Sequence, residues 1–347
     1  MIGDSEVGVS LRGYDDSIAE AYRALFPGDP DKSLELLNWR FRDNPHGSAC
    51  FAVAAHEERV VGLIALMPTR LLNMRGEGCC FQAIDTIVDR SRQGQGLFVK
   101  MGTLAQQPTS PGYGLLWGFP NANASPGWFG RLGWTNFGSV PLLMRPLRSS
   151  FLFGRLHSRL RTVDLPLVRR RIVERFLYQA GEQIAADFEP FWRRVSPQFG
   201  VAVDRSGEWM RWRLFDKPGT RYRCVGMKSG GGELEAFAAI KIADKHGSRL
   251  SYVMEAIAAP GHSDELARLL LAELSRAARE GAEAALAWCP RNAPNYSAYR
   301  RAGFIPVPAR LRPIEINFGA RGLNVDGQAA AVPNARWYIS FLDSDTN

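Results

Sequence analysis

The chain has 347 residues, 46% hydrophobic and 22% charged, so it can hold two domains of about 150 residues and is too apolar for a disordered chain. Its formal charge of +8 points to anionic ligands or surfaces without saying which. No run of about 18 apolar residues occurs and the opening MIGDSEVGVS lacks the plan of a signal peptide, so a soluble, cytoplasmic protein without a transmembrane segment is expected.

Helical patterns cover Asp15 to Phe26 and Lys32 to Arg42, and apolar runs of strand type follow at CFAVAA, RVVGLIALM and CCFQAIDTIV. Next comes DRSRQGQGLFVKM, Asp89 to Met101, a glycine turn that opens an amphipathic helix running to about Ala105. A strand YGLLWGF, a helix from about Asn123 to Leu132 and a closing strand pair complete this half. Arg148 to Arg175 then holds eight arginines against Asp164 and Glu174, with Phe151, Phe153, Leu156 and Leu160 interleaved. It reads as a solvated linker helix, and a basic amphipathic surface in weak contact with a membrane or an anionic acceptor is the alternative.

Beyond the linker the strands are YRCVGMK, ELEAFAAIKIA, RLSYVMEAIA and AALAWC. Between the last two lies the helix SDELARLLLAELSRAARE, with Ser263 as its expected N-cap. FGARGLNVDGQAAAVPNA reads as a long loop before a last strand, RWYISFL. The five cysteines (Cys50, Cys79, Cys80, Cys224, Cys289) have no CxxC spacing and the histidines no HxxxH or HxH, so buried reduced thiols are expected and no metal is assigned.

The two halves repeat. WRFRDNPHG from Trp39 returns as WRLFDKPG from Trp212, where Trp39, Arg40, Asp43 and Pro45 match Trp212, Arg213, Asp216 and Pro218 at one constant offset. FPNANASPGWFGRLGW returns as CPRNAPNYSAYRRAGF, where Pro120 matches Pro290, Phe129 matches Tyr299 and Gly133 matches Gly303, again at a constant and nearly equal offset. MRPL at Met144 returns as LRPI at Leu311. Two copies of one mixed α/β fold follow, three antiparallel strands and then strand, helix, strand, helix, strand, with divisions expected at 1–147, a basic linker at 148–180, and 181–347.

These residues resemble the GNAT superfamily of acyl-CoA transferases. The strand AIDTIVD running into SRQGQGLFVKMGTLA is similar to that family's motif A, and LLWGFPNANASPGWFGRLGW to its motif B, with Ser91 where the family usually has Gln or Arg. Backbone amides around Gly94 and Gly96, helped by the positive end of the new helix, suit a diphosphate such as coenzyme A carries. The matching place in the second copy, AIAAPGHSDELARLL, opens its helix with Asp264 and Glu265, which would repel a diphosphate. The first copy is therefore expected to hold the acyl-CoA and the second to be degenerate.

The resemblance implies an N-acyltransferase that moves an acetyl or other acyl group from coenzyme A to a primary amine of a small molecule, with an amino sugar as the acceptor guess and no specific nucleic acid. It places the donor against Ile87, Val88, Arg92, Gln93, Gly94, Gln95, Gly96, Leu97, Phe98, Asn121 and Asn123, with a backbone amide near Ile87 or Val88 holding the thioester oxygen. Asn121 and Asn123 are as well suited to capping the motif B helix. Asp85, a carboxylate in an otherwise apolar strand, is the candidate base, with a structural hydrogen-bonding role equally open. Its counterpart, at the offset that relates Phe129 to Tyr299, is Glu255, in the copy without a phosphate loop. The tyrosine that usually serves as acid is Phe129 in the first copy and Tyr299 in the second. A Fem-like aminoacyl transferase and a non-catalytic acyl-CoA-binding regulator are the alternatives, RQGQG arguing against the former and Phe129 keeping the latter open.

Overall fold

A computed structural model describes residues 7–72, 80–107, 114–151, 164–168, 177–179, 181, 184–245, 247–312 and 315–344. In the first half, strand β1 (Gly8–Gly13) is followed by helices α1 (Asp16–Leu25) and α2 (Leu34–Phe41), then β2 (Cys50–His56), β3 (Arg59–Thr69) and β4 (Cys80–Val88). Helix α3 (Leu97–Ala105), β5 (Leu115–Gly118), a π-helical turn at Pro126–Arg131, β6 (Thr135–Ser139) and β7 (Leu142–Pro146) complete it. The helices start where short polar side chains can take a free amide: Asp15 accepts from Ile18 N at 3.0 Å and Ser33 from Leu36 N at 3.4 Å. Ile18, Ala19, Ala21 and Tyr22 are the buried face of α1, the i, i+3, i+4 spacing that sets a helix on a sheet.

The second half repeats the plan with β8 (Leu177–Gln179), α4 (Ile184–Val195), α5 (Gly207–Leu214), β9 (Arg223–Lys228), β10 (Leu234–Lys245) and β11 (Ser248–Ala258). Then come α6 (Ser263–Arg279), β12 (Ala284–Trp288), α7 (Tyr296–Arg301), β13 (Ile305–Pro306), β14 (Asn317–Gly322) and α8 (Val325–Ala330). Among the described residues the strands form two seven-stranded mixed sheets, in the orders β1-β2-β3-β4-β5-β14-β6 and β13-β7-β12-β11-β10-β9-β8. In each, four antiparallel strands lead to one parallel pair, β4 with β5 and β11 with β12.

The sheets do not follow the divisions at 147 and 181. Strand β14, from the second half, lies between β5 and β6, and β7, from the first, lies between β12 and β13. The compact units are accordingly Met1–Ser139 with Pro313–Ala335, and Val140–Arg312 with Arg336–Asn347. Because the copies are related, each sheet offers an equivalent slot, and the last strand of one half fills the slot in the other. The expected linker 148–180 also contributes β8, the outer strand of the second sheet. Most of its arginines, with Phe153, Leu156 and Leu160, lie outside the described residues, as does Cys79.

Three further expectations change. The expected loop FGARGLNVDGQAAAVPNA contains β14 and α8, which its glycines conceal in the sequence because they are there for close packing. A Cβ on Gly319 would lie 2.3 Å from the Phe129 ring, and one on Gly322 would lie 2.3 Å from Gln328 N. RWYISFL is no strand: it touches Val201 at a single bridge and ends in a 3-10 turn at Phe341–Asp343. The N-cap of α6 is His262 rather than Ser263, whose hydroxyl instead meets Ser297 Oγ at 2.7 Å.

The first sheet is covered on both faces. Ile18, Tyr22, Leu37 and Phe41 pack with Phe51, Leu63 and Ile84 on one side. Leu97, Met101, Trp128 and Leu132 pack with Ala52, Ile64 and Leu116 on the other. Four described cysteines are free thiols, and burial pushes Cys224 up to about 12.

Candidate functional site

The site begins where β4 and β5 part. Their parallel ladder holds only Phe81 with Leu116 and Gln82 with Trp117, while β4 runs on to Val88 against β3 alone. Gly118 is a glycine because a Cβ there would sit 2.8 Å from the Ala83 carbonyl oxygen. From that close approach onward, β4 has a backbone edge turned away from β3, and Ile87 and Val88 lie on it, both half-buried.

The chain then turns at Asp89, whose carboxylate accepts from Ser91 N at 2.9 Å and Ser91 Oγ at 2.8 Å. The Ser91 hydrogen bonds hold the Asp89 carboxyl below the usual carboxylate range. Gln93 donates from Nε2 to the Val88 carbonyl at 3.1 Å, closing the turn onto the end of β4. Gly94 and Gly96 have φ of +81° and +72°, a conformation that favours glycine, and open space surrounds the position a Cβ would take at either. Gly96 is the N-cap of α3 and brings no side-chain acceptor, and α3 carries no acidic residue in its first turn. Exposed residues at the positive end of a helix, with Arg90, Arg92 and Lys100 nearby in sequence, are the chemistry that suits an anion.

The remaining candidate residues divide between this turn and the core. Gln95 is exposed and Arg92 half-buried. The Leu97 side chain is in the core and the Phe98 ring packs edge-on to Trp128 at 5.3 Å, so only their backbones face the turn. Asn121 Oδ1 accepts from Ala124 N at 3.0 Å in the turn that leads into Pro126–Arg131, whose own N-cap, Ser125, makes no side-chain cap hydrogen bond. Asn123 is exposed. Among the described residues no group of three His, Cys, Asp or Glu side chains is placed to hold a metal, and no helix is long and apolar enough to cross a membrane.

Asp85 sits on the other face of β4, at a register shift opposite Leu63 and Ala65, with φ of +46°. Ile84 packs with α1 and α2, and the bulge brings Asp85 to the same side. There its carboxylate meets Lys32 Nζ at 2.5 Å, Arg40 Nη1 at 3.2 Å and Tyr22 Oη at 3.3 Å, and the Lys32 and Asp85 side chains are each 9% exposed. Two cations and a phenol already occupy this carboxylate, so the geometry favours the structural role over the base.

The second unit carries the same device. Arg205 stands to Lys32 as Trp212 stands to Trp39, and Glu255 stands to Asp85 as Tyr299 stands to Phe129. Arg205 and Glu255 meet at 2.5 Å with both side chains fully buried. The triplets Asp31-Lys32-Ser33 and Asp204-Arg205-Ser206 continue the repeat upstream of Trp39 and Trp212 at the same offset, a signal that would have identified the cation from sequence. Retention of the pair in both copies ties it to the fold rather than to one reaction.

The parting of strands differs between the copies. Past the ladder that ends at Val253 and Ala287, β11 is covered by protein. Tyr338 Oη donates to Glu255 Oε1, Asn295 Nδ2 to the Ala256 carbonyl at 2.5 Å, and Gln198 Nε2 to the Ala258 carbonyl at 2.9 Å. The following turn has one left-handed glycine, Gly261, and Glu235 and Glu265 each lie 3.7 Å from His262 Nδ1 at the start of α6.

No protein-family model and no curated protein matches the sequence. Solved structures do match. The GCN5-related N-acetyltransferase of Anabaena variabilis aligns with a TM-score of 0.62 at 10% identity, covering 93% of this chain and 75% of that one. A probable N-acyltransferase of Enterococcus faecalis aligns at 0.60 and 10%, covering 93% and 75%. Saccharomyces cerevisiae N-myristoyltransferase, solved with bound myristoyl-CoA, aligns at 0.58 and 10%, covering 92% and 83%. The chain has the GNAT fold.

Within that fold the aromatic of motif B behaves differently in the two copies. Phe129 packs its ring on Gly319 and has no proton to give. Tyr299 is 1% exposed and edge-on to Phe304 at 5.2 Å, and burial pushes its phenol well above the ordinary value. It is a core residue of its own unit.

Asp85→Asn is expected to destabilise the first unit by about 3 kcal/mol, because Lys32 and Arg40 lose their shared anion. Urea titration measures this. The pH dependence of any thiol release should stay as in wild type, and a displaced profile would restore Asp85 as the base.

Proposed function

We propose that the protein is an N-acyltransferase that takes an acyl group from acyl-CoA and places it on a primary amine. The observation that carries this is the uncapped α3 behind two left-handed glycines, at the end of a strand that has parted from its parallel neighbour. The turn binds the donor diphosphate and the backbone near Ile87 or Val88 hydrogen-bonds the thioester oxygen. In the reaction the amine nitrogen bonds to the acyl carbon, the carbon–sulfur bond breaks, the thiolate leaves and the nitrogen loses a proton. Phe129 supplies no acid among the motif B side chains, so the proton that leaves the nitrogen reaches the thiolate through water.

The acyl group is acetyl and the acceptor a small molecule, with amino sugars as the starting class. The basic composition and the habits of other tandem GNAT proteins support this choice. Each chain uses one donor site, supported by the acidic side chains around the start of α6 and by the cover over β11. Phe129 favours a second reading, an acyl-CoA-binding protein that does not turn over.

Calorimetric titration with acetyl-CoA and myristoyl-CoA, followed by thiol release over a panel of amines, tests both. Binding of one equivalent with release above background is expected. Failure to bind either thioester would remove the donor site, and tight binding without release from any amine would leave the non-catalytic reading.

A further inference from the structure

The two copies of the cation and acid pair differ in what else they hold. In the second unit Arg205 contacts Glu255 with Nε and, through Nη2, a second carboxylate, Asp343 Oδ2, at 2.7 Å. That carboxylate arrives on the segment after α8, which also places Ser340 Oγ 3.3 Å from Nη2 and the Tyr338 ring 4.8 Å from the guanidinium carbon. The cation at this position in the fold thus binds the acid of the bulged strand and, beside it, a carboxylate brought from outside the repeat.

In the first unit the cation at this position, Lys32, meets one carboxylate among the described residues. Lys32 and Arg40 both approach Asp85, two cations on one carboxylate, and Lys32 is 8% exposed. An ammonium carries three donors, and the side-chain hydrogen bond of Lys32 among the described residues is the one to Asp85. The rings of Tyr22 and Phe26 also stand by its ammonium, with centroids at 5.9 and 5.2 Å. Arg205, beside the Tyr338 ring, binds Asp343, and Lys32, beside two rings, offers the same to an incoming carboxylate. A charge of this kind, removed from water, favours a second anion. Asp85 stands two residues before Ile87, at most roughly 7 Å along the chain, so a group held at Lys32 lies within one small molecule's length of the end of β4.

We propose that Lys32 binds a carboxylate of the acceptor, which makes the acceptor a small amine that also carries a carboxylate, of the amino-acid class. This rests on the acyltransferase reading and puts the amino-acid class in place of the amino sugars as acceptor. The amine then meets the acyl carbon near Ile87 while the carboxylate takes in the first unit the place that Asp343 takes in the second. Arg40 and Asp85 position Lys32 for this contact.

The test uses the whole chain with acetyl-CoA, the proteinogenic amino acids, their α-amides, and glucosamine as an acceptor without a carboxylate. Thiol release should favour at least one acid over its own amide and over glucosamine by tenfold or more in kcat/KM. Lys32→Gln should abolish that preference mainly through KM, and Lys32→Arg, the residue of the second copy, should keep it. Acetyl-CoA binding should be the same in wild type and both variants, which separates this inference from the donor site: loss of donor binding in wild type fails the acyltransferase reading instead. The same acid and amide pairs are titrated by calorimetry against the CoA-loaded chain, so the answer does not depend on turnover. Equal use or binding of acids and amides, a preference for glucosamine, no acid bound at all, or a preference that survives Lys32→Gln would each overturn the assignment. Should Lys32→Gln not fold, the wild-type preference and its retention in Lys32→Arg decide.

Discussion

Arg205→Met is expected to destabilise the second unit by about 3–5 kcal/mol, read as a large fall in the urea midpoint. The side chain is fully buried among Glu255, Asp343, Ser340 and the Val203 carbonyl, and its removal leaves two carboxylates in a low-dielectric core with no cation. Burial alone would lower the guanidinium, but the carboxylates of Asp343 and Glu255 outweigh it and the group is raised. An exposed pair makes the control: Arg193, 77% exposed beside Glu189, should cost less than about 1 kcal/mol when replaced by Ala. Similar losses from the two substitutions would mean that the buried cluster does not hold the unit together.

The same cluster gives a pH test with a definite sign. Burial raises the Asp343 carboxyl above its ordinary value, even with Arg205 beside it. Its contribution to folding is then complete below the ordinary carboxyl range and is lost as pH rises through the raised value. The stability advantage of wild type over Asp343→Asn should therefore be largest in acid and shrink toward neutrality. An advantage that grows with pH would show that Arg205, not burial, dominates this carboxyl.

The parts of the fold that depend on local pattern are legible in the sequence. Strand β4, the glycine turn and α3 stand out because alternation, two glycines and then helical spacing follow one another in a short stretch. The exchange of β7 and β14 is not legible, since a strand's own residues do not say which of two related sheets will pair with it. MRPL and LRPI look like equivalent ends for that reason. FGARG hides β14 because its glycines answer to Phe129 and Gln328, side chain and backbone brought in by the fold. Asp85 is visible in the sequence as an unusual carboxylate, but its cations come from the segment before α2 and from α2 itself, where Asp-Lys-Ser and Asp-Arg-Ser match without any apolar pattern to draw attention.

Gly94→Glu is expected to weaken acetyl-CoA binding at least 100-fold, about 2.7 kcal/mol at 25 °C. Two effects act together. At φ of +81° a residue with a Cβ is strained by on the order of 1–3 kcal/mol, and the loop can relieve this only by turning its amides away from the diphosphate. The new carboxylate also enters open space beside the uncapped end of α3, where it satisfies the helix dipole itself and repels a diphosphate. Asp264 and Glu265 already stand at the start of α6, so the substitution would give the first copy the electrostatics of the second. Gly232→Glu controls for the strain alone, since Gly232 has φ of +86° in open space at the turn between β9 and β10. Wild-type affinity in Gly94→Glu, or equal losses in the two variants, would separate the glycine turn from the cofactor. A loss confined to Gly94→Glu would locate the diphosphate on α3.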